Sequence, residues 1–163
     1  MSFRAAVLTI SDMGARGDRE DTSGAAIKEL LAGIGIEIDR HDIIPDERDQ
    51  ISQRLTAWAD EGLPLIVTTG GTGLGPRDLT PEATRAVLDY EVPGIAEAMR
   101  AEGLKHTPMA MISRAIAGVR GRTLIINLPG SPKGVRENLT VILPTLTHAL
   151  ELLTGQPSDH APN

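Results

Sequence analysis

Residues 63–84 read LPLIVTTGGTGLGPRDLTPEAT, and this stretch decides the fold. Its first part, residues 63–69, is an apolar run of the kind that forms a buried strand. A glycine-rich loop follows. A helix is then predicted to begin at Thr80 with Pro81 at its first position, where the missing proline N–H costs no hydrogen bond. A strand that leads through a short loop into a helix is the repeating unit of parallel α/β sheets.

A similar unit lies at the start of the chain. The apolar run at residues 5–10 predicts a first strand. The helix that follows should be capped by Thr22 or Ser23 and should end at Gly33 and Gly35. Its apolar face has helical spacing and consists of Ile27, Leu30, Leu31 and Ile34.

A second unit lies between these two. Residues 36–44 predict a strand that runs into Pro45, and Asp46 is predicted to open the next helix. The apolar stripe of that helix consists of Ile51, Leu55, Trp58 and Ala59. Three consecutive strand–helix units indicate right-handed crossovers around a parallel sheet.

The pattern changes after Tyr90. A helix is predicted over residues 93–102, and two strands are predicted over residues 113–119 and 122–127. The two strands would be joined by a tight turn at Arg120-Gly121, so they should pair antiparallel.

A final long helix is predicted after residue 131, and Pro144 should kink it because the proline ring clashes with the carbonyl of Thr140. Its apolar stripe consists of Val135, Leu139, Ile142, Leu146, Leu150 and Leu153. We therefore predict one α/β domain over residues 1–155, with a mostly parallel sheet, helices on both faces and a small antiparallel excursion. Residues 156–163 are predicted to be a flexible tail.

The composition excludes several kinds of chemistry. The chain has no cysteine, which removes zinc–thiolate sites, iron–sulfur clusters, cysteine nucleophiles and CxxC redox motifs. With 22 acidic and 16 basic residues the net charge is −6, which argues against nucleic acid as a partner. No stretch approaches the roughly 20 apolar residues of a membrane span. We therefore expect a soluble, cytoplasmic protein that binds neither nucleic acid nor membrane.

Polar residues after the strands are the candidate site, because ligands of open α/β sheets bind at the carboxyl ends of the strands. The glycine loop after residue 69 could cradle a phosphate on its N–H groups, although its spacing is neither GxGxxG nor a P-loop. The alternative is that these glycines only form a tight turn.

Two aspartates suggest a metal ion at the same edge. Asp78 lies within the presumed anion site, where a carboxylate would repel a phosphate unless a cation such as Mg²⁺ lies between them. Asp46 lies at the same edge, and paired carboxylates hold metal in phosphoryl-transfer sites. The alternative for both residues is helix capping, which is the stronger interpretation for Asp46 alone.

The remaining strand ends add further candidates. Ser131 and Lys133 lie where a helix begins and could form a second anion site, or they could be a cap and a solvated lysine. Ser11 and Asp12 follow the first strand, and residues 21–24 precede the next helix; either group could contact ligand or cap. The four histidines lack zinc-ligand spacing.

These segments together resemble the molybdopterin adenylyltransferases of molybdenum-cofactor biosynthesis, the group that includes the G domain of gephyrin. The combination of TTGGTG with RDLTPEAT carries the resemblance most strongly. The matching segments are LTISD (8–12), IPDE (44–47), TTGGTG (68–73), RDLTPEAT (77–84), SR (113–114) and NLPGSPK (127–133).

The resemblance implies a three-layer α/β fold, usually trimeric, that transfers AMP from MgATP to the terminal phosphate of molybdopterin and releases pyrophosphate. It implies that Asp46 and Asp78 are the catalytic and metal-holding acids. It also implies contact between the product-bearing protein and the molybdate-inserting enzyme of the pathway. The substrate-binding residues that we expect are Ser11, Asp12, Gly70, Gly71, Thr72, Gly73, Thr80, Ser131, Pro132 and Lys133.

Two alternatives remain open on the sequence. One is a molybdopterin-binding or scaffold protein without catalysis, against which the presence of both Asp46 and Asp78 argues. The other is a related metal-dependent enzyme that processes another pterin or dinucleotide, as in the competence-damage proteins of similar fold.

Overall fold

The computed structural model describes residues 2–156. Within this range the strands are β1 (Arg4–Ile10), β2 (Glu37–Ile44), β3 (Leu65–Thr69), β4 (Tyr90–Glu91), β5 (Ala117–Arg120) and β6 (Thr123–Leu128). The helices are α1 (Asp12–Ala15), α2 (Thr22–Ala32), α3 (Arg48–Asp60), α4 (Thr80–Arg85), α5 (Pro93–Leu104) and α6 (Pro132–Thr154), and Pro108–Ile112 forms a 3₁₀ helix. The strand–helix alternation predicted for the first half of the chain is confirmed.

The strands form one sheet in the order β2-β1-β3-β6-β5-β4. The first four of these are parallel, with Val7 opposite Val67 and Val67 opposite Ile126. Strand β5 runs antiparallel to β6 and also to β4. The predicted antiparallel excursion at one side of the sheet is therefore confirmed.

Apolar side chains on both faces of the sheet divide the core in two. Val7, Val67 and Ile126 point to the face covered by α2, α5 and α6. Their neighbours in the same strands, Leu8 in β1 and Ile66 in β3, point to the face covered by α3 and α4. This alternation follows from the two-residue repeat of a strand, and it produces the three layers of the fold.

Two predicted helix starts were wrong. Helix α3 begins at Arg48 with Glu47 as its N-cap residue, so Asp46 does not open it. Helix α2 is capped by Asp21, whose carboxylate accepts the N–H of Gly24 at 2.9 Å, and not by the hydroxyls that follow it. In both cases the bonding of an aspartate explains the difference. The carboxylate of Asp21 accepts an N–H of the first turn of α2, whereas the carboxylate of Asp46 accepts the N–H of Asp12 and does not cap α3.

Strand and helix ends also differ from expectation in the second half. Strand β5 begins at Ala117 and not at Ser113; the main-chain N–H of Arg114 bonds to Thr72 of the glycine loop and not to a neighbouring strand. Helix α5 extends beyond residue 102, to Leu104. Helix α6 continues through Pro144, and a kink there stays a prediction. All but the first residue of the predicted tail, 156–163, lie outside the described residues.

Among the helices of residues 2–156, none is both long enough and apolar enough to cross a lipid bilayer.

Candidate active site

A cleft of about 580 Å³ lies at the carboxyl ends of the four parallel strands. Each strand contributes to it through the residues that directly follow it, because the ends of parallel strands meet at one edge of a sheet. These residues are Ser11 after β1, Asp46 after β2, Gly70 and Gly71 after β3, and Gly130, Ser131 and Pro132 after β6. The cleft thus brings together most of the candidate residues predicted from the sequence.

The first two glycines of the loop permit close packing between strand ends. Gly70 has φ +101°, and a Cβ there would lie 2.3 Å from the carbonyl oxygen of Ile10. Gly71 has φ +71°, and a Cβ there would lie 2.3 Å from the hydroxyl of Thr80 and 3.3 Å from Oδ1 of Asp46. Only glycine fits these positions, so the loop can bring its backbone against Asp46.

Thr80 fixes this loop from inside the protein. Its hydroxyl donates to the carbonyl of Gly70 at 2.9 Å, and its N–H donates to the carbonyl of Gly71 at 3.2 Å. The side chain of Thr80 is 0% exposed. In the structure it therefore holds the glycine loop and does not line the cleft, where the resemblance had placed it.

Asp12 and Asp46 connect the ends of β1 and β2. The N–H of Asp12 donates to Oδ2 of Asp46 at 2.9 Å, and the N–H of Asp46 donates to Oδ1 of Asp12 at 3.0 Å. Arg77 donates to both carboxylate oxygens of Asp12, at 2.7 and 3.1 Å, and to Glu47 at 2.9 Å. This pairing holds the pKa of Asp12 down to about 2, mainly through the Arg77 hydrogen bond.

The pKa of Asp46 is shifted in the opposite direction to that of Asp12. Its pKa lies above the ordinary value of 3.8, first because the carboxyl group is partly buried. The negative charges of Asp12 and Asp78 raise it further, while the hydrogen bond from the N–H of Asp12 opposes the shift. A partly buried carboxylate repelled by two others is a favourable place for a cation.

Asp78 lines the same cleft but caps no helix. Its Oδ2 accepts the N–H of Gly75 at 2.9 Å, and its own N–H donates to the carbonyl of Gly75 at 3.0 Å. The N-cap residue of α4 is Leu79, which makes no side-chain capping bond. The capping interpretation is therefore wrong for Asp78, as it is for Asp46.

No cluster of three or more acidic or histidine side chains with metal-site geometry occurs within residues 2–156. The pair Asp46 and Asp78 still fits Mg²⁺, because this ion commonly binds through one or two carboxylates and completes its octahedron with substrate phosphates and water. The two carboxylates therefore suit a metal ion that binds together with a phosphorylated substrate.

The other candidate residues line the cleft, a second cavity, or neither. Ser131 accepts the N–H of Gly134 at 3.0 Å, which caps α6, and it lines both the cleft and a second cavity of about 250 Å³. Thr72 and Gly73 line the second cavity and not the cleft. The side chain of Lys133 is 81% exposed and lies 3.8 Å from Glu137, outside the lining of both cavities.

Several lining residues were not singled out from the sequence. Thr9 of β1 and Arg19 line the cleft, and the hydroxyl of Thr9 donates at 2.7 Å to Asp21, which was already a candidate. Arg100 lines the second cavity with Met109 of the 3₁₀ helix. Thr9 lies inside an apolar run, and the 3₁₀ helix has no periodic pattern, so only the topology reveals these contributions.

The chain is similar to proteins of molybdenum-cofactor biosynthesis. Residues 6–148 match the family model described as "Probable molybdopterin binding domain". The molybdopterin adenylyltransferase of Helicobacter pylori J99 is 45% identical, over 91% of this chain and 86% of that protein. Gephyrin of Dictyostelium discoideum is 45% identical over 96% of this chain, which spans 23% of gephyrin.

A solved structure shows the same fold. The molybdopterin biosynthesis enzyme MoaB from Thermus thermophilus is 61% identical, with a TM-score of 0.90, over 95% of this chain and 98% of that one. The chain therefore belongs to the molybdopterin adenylyltransferase family of molybdenum-cofactor biosynthesis.

Proposed function

We propose that the protein transfers AMP from ATP to the terminal phosphate of molybdopterin in a Mg²⁺-dependent reaction. The observation that carries the proposal is the convergence of Asp46, Asp78 and the glycine loop on one cleft at the strand ends. The relatives named molybdopterin adenylyltransferase support the choice of substrates.

The reaction needs no nucleophile from the protein. An oxygen of the pterin's terminal phosphate forms a bond to the α-phosphorus of ATP. The bond from that phosphorus to the oxygen that bridges to the β-phosphate breaks, and its electron pair leaves with pyrophosphate. The site's task is to hold two anions in line and to stabilise the negative charge of the transition state.

Each part of the cleft has a role in that task. Asp46 and Asp78 would hold Mg²⁺, which when bound neutralises phosphate charge and orients the reacting groups. The backbone of Gly70 and Gly71 would let the phosphates approach, since no side chain covers it. The reciprocal bonds with Asp12 keep the carboxylate of Asp46 fixed while substrates bind.

The loop after β6 is proposed to face the pterin phosphate. Ser131 lines both cavities, so it can contact a group that passes between them. Pro132 lies beside Ser131 at the start of α6. Lys133 would add a positive charge near the cleft while its side chain stays exposed to solvent. Thr72 and Gly73 would contact substrate from the side of the second cavity.

The setting of this activity is also proposed. We infer a cytoplasmic homotrimer that passes adenylylated molybdopterin to the molybdate-inserting enzyme of the pathway. The family resemblance supports both the assembly and the transfer.

One experiment tests the activity. Purified protein is incubated with molybdopterin, ATP and Mg²⁺, and adenylylated molybdopterin and pyrophosphate are measured by liquid chromatography with mass spectrometry. The proposal expects both products in equal amounts. A protein that binds molybdopterin and forms neither product would be the non-catalytic binding protein of the alternative hypothesis.

A further inference from the structure

Arg114 makes four contacts with the segment that carries Asp78. Its Nε donates to the carbonyl of Gly73 at 2.9 Å, and its Nη2 donates to the carbonyl of Asp78 at 2.7 Å. Its main-chain N–H donates to the carbonyl of Thr72 at 2.8 Å, and its Nη1 pairs with the carboxylate of Glu82. One residue thus holds the glycine loop at three carbonyls.

These bonds determine where the loop's amides point. In a trans peptide the C=O and the following N–H point in opposite directions, and no cis peptide occurs within residues 2–156. The carbonyls of Thr72 and Gly73 face Arg114, so the N–H groups of Gly73 and Leu74 point away from it. Neither N–H has a hydrogen-bond acceptor among the described residues. Two unpaired N–H donors side by side are suited to bind an anion.

The charge of Arg114 is already engaged. Glu82 pairs with the guanidinium, and this hydrogen bond lowers the pKa of Glu82, so the carboxylate is ionised at neutral pH. Three of the five guanidinium N–H donors are bonded to two carbonyls and a carboxylate, and Arg114 lines neither the cleft nor the second cavity. Its effect on phosphate binding must therefore act through the loop that it holds.

We propose that Arg114 is a positioning residue for phosphate binding, which turns the N–H groups of Gly73 and Leu74 toward the substrate and holds Asp78 at the cleft. This inference rests on the proposed function for the identity of the substrate. Its direct consequence, anion binding by the loop, can be measured without catalysis.

The test compares Arg114→Lys with Arg120→Lys in the full chain. Lysine keeps the charge but cannot bond both carbonyls at once. Arg120 is a matched control, because it is also half-buried and donates to a carbonyl, that of Val87 at 3.0 Å, away from the cleft. Binding of inorganic pyrophosphate is measured by calorimetry, and kcat and the KM for molybdopterin are measured for transfer.

We expect Arg114→Lys to weaken pyrophosphate binding and to lower kcat by at least about tenfold each, as for loss of hydrogen bonds to a charged group. The KM for molybdopterin should stay within about threefold. Arg120→Lys should leave pyrophosphate affinity, kcat and the KM for molybdopterin near wild type, even if it lowers Tm as much as Arg114→Lys does. Wild-type pyrophosphate affinity in a folded Arg114→Lys protein, or equal losses in both variants, would overturn the proposal.

A second variant covers the case in which Arg114→Lys does not fold. Glu82→Gln keeps an acceptor for Nη1 and leaves both carbonyl bonds in place, so pyrophosphate affinity should stay within about threefold of wild type. A loss of about tenfold or more would assign the effect to the ion pair and overturn the proposal.

Failure of the proposed function gives a different result. A wild-type protein that binds pyrophosphate but forms no adenylylated molybdopterin would refute the transfer reaction alone. A wild-type protein that binds no pyrophosphate would refute both.

Discussion

Asp12 and Asp46 each accept the other's main-chain N–H, at 2.9 and 3.0 Å. This reciprocal pair joins the ends of β1 and β2, two neighbouring strands of the sheet. It uses one oxygen of each carboxylate for structure, and Oδ1 of Asp46 is left facing Gly71. The pair therefore explains how one aspartate can be held rigidly and still have a free oxygen for a ligand.

Replacing Asp46 with Asn should abolish transfer without destabilising the fold. The pKa of Asp46 is raised, so the folded protein binds this proton more tightly than the unfolded chain does. Ionisation then costs folding free energy, and the cost grows as pH rises from 3.8 through the raised pKa. A neutral Asn that still accepts the N–H of Asp12 avoids this cost, so Tm at pH 7 should rise.

Thermal melts at pH 7 and at pH 3 check this prediction. The difference between Asp46→Asn and wild type should shrink at pH 3, where Asp46 is protonated in both the folded and the unfolded protein. Asp39→Asn removes an exposed aspartate that pairs with Arg4 at 3.4 Å, and it should change neither Tm nor activity. A clear loss of Tm in Asp46→Asn at pH 7 would contradict the stated cost of its charge.

Arg77→Ala should make stability less dependent on pH in acid. Arg77 is the main cause of the low pKa of Asp12, about 2, so ionised Asp12 stabilises the fold above its ordinary pKa of 3.8. That stabilisation is lost as pH falls from 3.8 toward 2. In Arg77→Ala the stabilisation by ionised Asp12 is smaller, so stability should fall less over this pH range. Melting curves between pH 2 and pH 5 should show a shallower decline than wild type, and Arg4→Ala should not. An unchanged slope would contradict the pairing.

The fold could be predicted from the sequence wherever hydrophobic patterns were regular. The apolar runs of β1 and β3 and the stripe of α6 gave the parallel sheet and its crossovers, because strand and helix repeats are local. The ends of elements depended on bonds between distant residues. Asp46 bonds to Asp12, and Arg114 bonds to the glycine loop, so the start of α3 and the start of β5 could not be read locally.

The site shows the same division. The strand-end rule brought Ser11, Asp46 and Asp78 to one cleft, because it depends only on strand direction. Arg114 lies in the matching segment SR (113–114), yet nothing in its sequence neighbours indicates that it bonds to three carbonyls of the segment at residues 72–78. Roles that depend on tertiary contacts appear only in the structure.

Lys133→Ala should weaken the binding of molybdopterin more than the binding of ATP. The side chain is 81% exposed, so its effect should be a screened attraction of about threefold that decreases as salt is raised. Lys105→Ala, at an exposed lysine that pairs with Glu102, is the control and should affect neither ligand. Titrations of both ligands at two salt concentrations test this, and an equal loss for both would reject the assignment of this loop to the pterin.

Light scattering should give a mass near three times that of the 17.3 kDa chain, because we propose a trimer. The measurement is made at micromolar concentration, where a weak assembly would dissociate. A sharp mass near 17.3 kDa would rule the trimer out.

The rate of pyrophosphate release by Asp78→Asn tests the central claim most directly. Asn can accept the N–H of Gly75 as Asp78 does, so the turn should survive, with circular dichroism as the check on folding. The charge that would hold Mg²⁺ at the phosphates is lost, and we expect the rate to fall by about 10²-fold or more, as for other groups that stabilise transition-state charge. A folded Asp78→Asn protein within about threefold of the wild-type rate would contradict the account.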